Sequence, residues 1–223
     1  MILAQDAAGF FDIVFSGGWV GVAIVSLLAA LSIAALALAV EHALSIRQSV
    51  LAPPGLADGV ATRLTQGQLL GAAQACDLQP SVLATSLKAA LAEADGGWGE
   101  VEKALEDTLS DQSARLFRKI EYLSVIANIA PMIGLLGTVV GMIFAFQEVA
   151  STQGAARASE LASGIYQALV TTVGGLVVAI PALAAFALFR NRVDGCVSYT
   201  ALEAQRALRP LKLMLTGRVK ASG

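Results

Sequence analysis

The sequence predicts an all-α membrane protein with three transmembrane helices, its N-terminus outside, its C-terminus inside, and helices two and three extended into the cytoplasm. Three observations carry this. First, 56% of the 223 residues are apolar and only 14% are charged, against roughly a quarter charged in a soluble domain. Second, the charges leave three uncharged runs, 13–40, 122–147 and 161–189, each longer than the ~20 residues an α-helix needs to cross hydrocarbon. Third, every Lys and Arg except Arg157 falls either between the first and second runs or after the third. That asymmetry sets orientation, because basic residues stay on the cytoplasmic side.

Residues 1–12 are therefore expected as a periplasmic N-terminus and 13–41 as the first span. Nothing basic precedes this run, and its apolar core is far longer than that of a signal peptide, so it is expected to remain in the mature protein. Lipid offers the peptide group no hydrogen bonds, which requires helices and excludes open strands. Residues 42–121 form a cytoplasmic helical region. It opens on the break Pro53-Pro54-Gly55, has helix-forming stretches around 56–76 and 80–94, and breaks again at Gly96-Gly97. From Gly99 the apolar residues recur at helical spacing and lead without interruption into the second span, 122–147. A periplasmic loop, 148–160, precedes the third span, 161–189. The cytoplasmic C-terminal helix, 190–223, follows, with Pro210 as an expected interruption.

The composition excludes several functions. A net charge of −2 gives no basic excess for nucleic acid. Cys76 and Cys196 are expected as inert thiols, and no metal-ligand spacing or catalytic constellation occurs, so neither catalytic residues nor cofactors are expected. His42, beside Glu41, reads as an interfacial residue at the inner end of the first span.

Small residues let helices approach in lipid. The third span carries a stripe of Gly164, Ala168, Thr172, Gly175, Ala179 and Ala182; the second carries Ala127, Ala130, Gly134, Thr138, Gly141 and Ala145, with Gly137 adjoining. The first span lacks such a stripe and reads as the lipid-facing helix. The stripes admit two readings: they bring the helices together and nothing more, or their mid-span hydroxyls, Thr138 and Thr171-Thr172, also serve function. A threonine bonding its own preceding carbonyl would explain either hydroxyl alone. No Asp, Glu, Lys, Arg or His lies inside any of the three uncharged runs, so this chain is not expected to carry protons by itself.

The run APMIGLLGTVVGM at 130–142 resembles the second-span signature of the ExbB/TolQ/MotA proton-channel family, and GIYQALVTTVGGL at 164–176, followed by AIPA at 179–182, resembles its third-span signature. Three spans favour the ExbB/TolQ branch, since flagellar-type members have four. The resemblance implies a pore-forming homo-oligomer, a pentamer, in the bacterial inner membrane, its second and third helices lining a pore and its first facing lipid. Single-span helices of an ExbD/TolR-like partner enter that pore, each bringing the aspartate this chain lacks. The assembly would couple the proton-motive force to envelope or outer-membrane work, with H+ as the transported ion and Na+ left open.

Carried over residue by residue, the resemblance places Thr138 and Thr172 on the pore wall facing that aspartate, among Thr171, Gln167, Gly134, Gly141, Ala168 and Gly175. It makes Pro131 and Pro181 helix kinks. Gln167 stands where many relatives have a glutamate, and a carboxamide cannot titrate. A non-conducting scaffolding oligomer is the alternative; a secondary transporter fits poorly, for want of broken-helix repeats.

Overall fold

The computed structural model describes residues 18–151 and 158–221, and these contain helices and turns with no strand. The elements are α1 (Gly18–Ser45), α2 (Gln48–Leu51), α3 (Leu56–Thr65), α4 (Leu69–Leu78), α5 (Val82–Ala92), a 3-10 turn (Ala94–Gly96), α6 (Trp98–Ser151) and α7 (Ala158–Ala221). Three of them, α1, α6 and α7, are long and apolar enough to cross a membrane. The expected 1–12 segment, the start of the first span at 13–17, and loop residues 152–157 lie outside the described residues, as does Arg157.

The chain divides into two compact units. The apolar unit takes its described residues from Met1–Val40 and Glu121–Ala187. In it, Ile24 and Leu28 of α1 pack on Ala130 and Ala179, with Val20, Leu31, Ile133 and Val178 around them. The spacing 24, 28, 31 is one narrow helical stripe. Leu27, Ile33 and Leu36 on the rest of α1 are exposed.

The polar unit takes its described residues from Glu41–Ile120 and Leu188–Gly223. Its core joins Val60 and Leu64 of α3, Ala72 of α4, Leu83 and Leu87 of α5, Val101 and Leu105 of α6, and Ala204, Leu208 and Leu211 of α7. Ser81 caps α5, its Oγ accepting from the Ala84 amide at 3.1 Å, which satisfies one of the free donors at a helix start. The stretch expected as one helix over 56–76 is two, because Gly67 turns the chain at φ +73°, a conformation that side chains with a Cβ resist.

Three further expectations change. First, α1 runs past residue 41 to Ser45. Second, the His42 side chain, expected only as interfacial, is buried within the protein, 3% exposed. Its Nε2 lies 3.1 Å from the Lys119 carbonyl, and its ring meets Phe189 edge-on at 5.8 Å. The continuation of α1 is the reason, since it carries the imidazole into the core.

Third, Pro210 does not interrupt α7, which is helical from Ala158 to Ala221. Proline deprives the carbonyl four residues back, that of Arg206, of its donor. Arg206 is exposed, so water can satisfy that carbonyl, and Ala207, Leu208 and Leu211 hold the helix by burial on both sides of the proline. Pro131 and Pro181 likewise sit within continuous helix.

Candidate functional site

Both small-residue stripes lie in the apolar unit, and the structure packs them against each other in antiparallel order. A Cβ on Gly175 would lie 2.6 Å from the Ala130 carbonyl oxygen and 3.2 Å from the Gly134 Cα, while one on Gly134 would lie 2.9 Å from the Thr171 carbonyl oxygen and 3.0 Å from the Thr172 Cα. Further along, one on Gly137 would collide with the Thr171 hydroxyl, one on Gly141 would lie 2.9 Å from the Ala168 Cβ, and one on Gly164 2.8 Å from the Ala145 Cβ. Side chains larger than hydrogen would push the backbones apart, so glycine sets the helix separation here.

Backbone approach this close brings hydroxyls across the gap. Thr172 Oγ1 donates to the Gly134 carbonyl at 3.1 Å. Thr171 Oγ1 lies 3.1 Å from the same oxygen and 2.7 Å from the Ala168 carbonyl of its own helix. A hydroxyl has one proton. The shorter contact takes that of Thr171, which leaves Gly134 as the acceptor for Thr172. Thr138 Oγ1 donates within its own helix to the Leu135 carbonyl at 2.7 Å, the local bond that competes with any functional use of a threonine. Thr138 and Thr171 are buried and Thr172 is half-buried. All three keep oxygen lone pairs able to accept a further hydrogen bond.

The structure thus brings Gly134, Gly137, Thr171, Thr172 and Gly175 into one cluster. Gly134, Ala168 and Gly175 are buried; each faces the opposite helix of the same hairpin. Gly141 meets Ala168 one turn away from the cluster. Gln167 and Thr171, with Gly21 and Ile24 of α1, line a partly open pocket of about 30 Å³, a volume that admits a water molecule. Pro131 follows Ala130, whose carbonyl Gly175 approaches, and Pro181 lies further along the third span. The Gly134 carbonyl is the acceptor that sequence reasoning missed. Its signal was the pair of glycines at Gly134 and Gly137, each placed where a Cβ would run into Thr171.

No three metal-capable side chains cluster among the described residues. Cys76 and Cys196 are free and buried. Burial pushes both thiols up; Asp77 adds to this at Cys76, and Arg192 opposes it at Cys196.

A family model described as the MotA/TolQ/ExbB proton channel family matches residues 75–201, more than half the chain and inclusive of both stripes. Biopolymer transport protein exbB1 of Vibrio cholerae is 35% identical over 109 residues, covering 49% of this chain and 46% of that protein. Biopolymer transport protein ExbB of Xanthomonas campestris is 37% identical over 109 residues, covering 46% and 42%. Tol-Pal system protein TolQ of Pseudomonas aeruginosa is 35% identical over 94 residues, covering 42% and 40%. The matches thus span less than half the length of these relatives. A structure of MotAB from C. jejuni shares the fold at a TM-score of 0.52 and 20% identity, covering 97% of this chain and 88% of that one. Two signature spans, a glycine-spaced hairpin with mid-span threonines, and a family match across both agree: the chain belongs to the MotA/TolQ/ExbB proton channel family.

Proposed function

We propose that this chain is the ring-forming subunit of an ion-driven motor in a bacterial inner membrane, working with an ExbD/TolR-like single-span partner to energise envelope or outer-membrane transport. In this reading the N-terminus is outside, in keeping with the Lys and Arg bias, and the subunits form a pentamer. Thr138, Thr171, Thr172 and Gln167 supply the polar groups of the pore wall. Gly134, Gly141, Ala168 and Gly175 hold the two helices at the separation that presents them, and Pro131 and Pro181 leave two carbonyls without their intrahelical donors.

The observation that carries the proposal is an uncharged helix pair whose hydroxyls converge on the Gly134 carbonyl. A partner aspartate at this level would meet oxygens that accept from its protonated form through their free lone pairs, and that donate to its charged form when a hydroxyl turns away from its backbone carbonyl. Neither form is trapped, which passage of an ion down a gradient requires. Gln167 cannot titrate, so the partner carboxyl alone changes charge. H+ is the proposed ion, with Na+ as the alternative.

The test is ion flux through the complex of the full chain with its single-span partner in liposomes. Replacing Thr138 and Thr172 together with valine is expected to abolish flux while the complex still assembles; undiminished flux would reject the pore-wall assignment. Flux that persists without sodium identifies H+. The scaffolding alternative draws on the same packing, since the small residues are occupied within one hairpin, and it predicts an assembled complex with no flux under any gradient.

A further inference from the structure

We propose that a groove in the polar unit, between the end of α1 and the adjoining part of α7, binds the phosphodiester headgroup of an anionic phospholipid. The proposal rests on the membrane reading above. Ala43, Arg47 and Gln48 form one wall of the groove, and Arg192, Gly195 and Cys196 form the other, around a volume of about 560 Å³. Two guanidinium groups thus flank one space, one from the link between α1 and α2 and one from α7, and no carboxylate lines it.

Among the described residues neither Arg47 nor Arg192 forms an ion pair with an acid; the ion pairs there are Lys88–Asp77, Arg115–Asp111 and those of Arg206 with Asp58 and Glu203. Arg47 Nε donates to the Ala43 carbonyl at 3.0 Å, which steadies the base of its guanidinium and leaves the terminal amino groups for a ligand. Arg192, one turn before Cys196 on the same helix, draws that thiol's titration down against the effect of its burial. The nearest carboxylates in sequence, Glu41 and Asp194, are not part of the lining. Planar guanidinium groups match phosphate oxygens, which makes arginine the usual choice for that ligand.

Position selects a lipid over a soluble anion. Arg192 lies three residues beyond Phe189, the last residue of the third uncharged run, or roughly 4.5 Å of helix rise. Arg47 lies seven residues beyond Val40, the last residue of the first uncharged run, or roughly 10 Å along the chain at helical rise. Both arginines therefore lie at headgroup level, where basic residues beside transmembrane helices meet anionic lipid. The lining includes the small residues Ala43, Gly195 and Cys196, and Gly195 has open space where its Cβ would be, so a glycerophosphate group has room.

Native mass spectrometry of the purified full chain with its partner, titrated with dioleoylphosphatidylglycerol or dioleoylphosphatidylcholine, tests this. The wild type is expected to retain the anionic lipid roughly tenfold better. Arg47→Gln with Arg192→Gln should remove that preference, and the double lysine variant should keep part of it. Gly195→Phe leaves both charges in place and fills the groove; it should also remove the preference. Equal retention of the two lipids by the wild type, or an unchanged preference in both the glutamine and Gly195→Phe variants, would overturn the proposal. So would release of the lipid by excess inorganic phosphate, which would mark a site for a soluble anion. Ion flux from the same preparation separates the two proposals: flux without lipid preference rejects only the groove, and lipid preference without flux rejects only the motor.

Discussion

At the residue scale, the glycines of this chain divide by what a Cβ would meet. Gly175 faces a carbonyl oxygen at 2.6 Å that belongs to a helix backbone and cannot rotate away, whereas Gly195 faces open space. Gly175→Ala should therefore destabilise the protein by about 1–3 kcal/mol through overpacking, and Gly195→Ala should stabilise it by roughly 0.5–1 kcal/mol through helix propensity. Thermal unfolding of the two purified variants measures both, and a common sign would contradict the packing described. Ser86 supplies a second contrast, because its Oγ is buried with no hydrogen-bond partner among the described residues. Removing that oxygen leaves no partner unsatisfied, so Ser86→Ala should raise stability by about 1–2 kcal/mol. A fall in the denaturation midpoint would reveal a partner for the hydroxyl.

Among the elements, α6 and α7 each serve both units, running from uncharged apolar sequence into amphipathic sequence without a stop. Pro210 shows how firmly the polar unit holds α7. The missing bond at Arg206 is tolerated because Ala207, Leu208 and Leu211 are buried, and the helix gains more from that burial than it loses at one exposed carbonyl. Pro210→Ala should restore the bond and raise stability by about 2 kcal/mol, read as a higher unfolding temperature. His42 has a similar part at the end of α1, where its ring lies against Phe189 of α7 and its Nε2 against the Lys119 carbonyl of α6. Three chain segments far apart in sequence are tied there by one side chain.

For the whole molecule, the exposed apolar residues require a solvent other than water. Leu135, Leu136 and Met132 on α6, and Val173, Val177 and Ile180 on α7, are all exposed in the single chain. Acyl chains or further copies of the subunit must cover surfaces of this kind. The topology proposed from Lys and Arg makes a distinct prediction for the exposed Asp111 in the polar unit. A cysteine placed there should react with a membrane-impermeant maleimide only after the inner membrane is opened. Labelling of intact spheroplasts would reverse the assigned orientation.

The three spans, their composition and the stripes on the second and third were legible in the sequence, because uncharged length and small-residue spacing are local properties that lipid selects directly. The sequence alone also determined that no Asp, Glu, Lys, Arg or His lies inside the three uncharged runs. Other features depended on which residues meet across the fold. Tertiary structure decided that the Gly134 carbonyl receives Thr172, that Thr171 is the more buried of the adjacent pair, that His42 is core, and that Pro210 leaves α7 intact. Spacing along one chain sets which side chains share a face, but only packing decides what that face meets, and with it where each hydroxyl proton goes and whether a broken backbone bond is compensated.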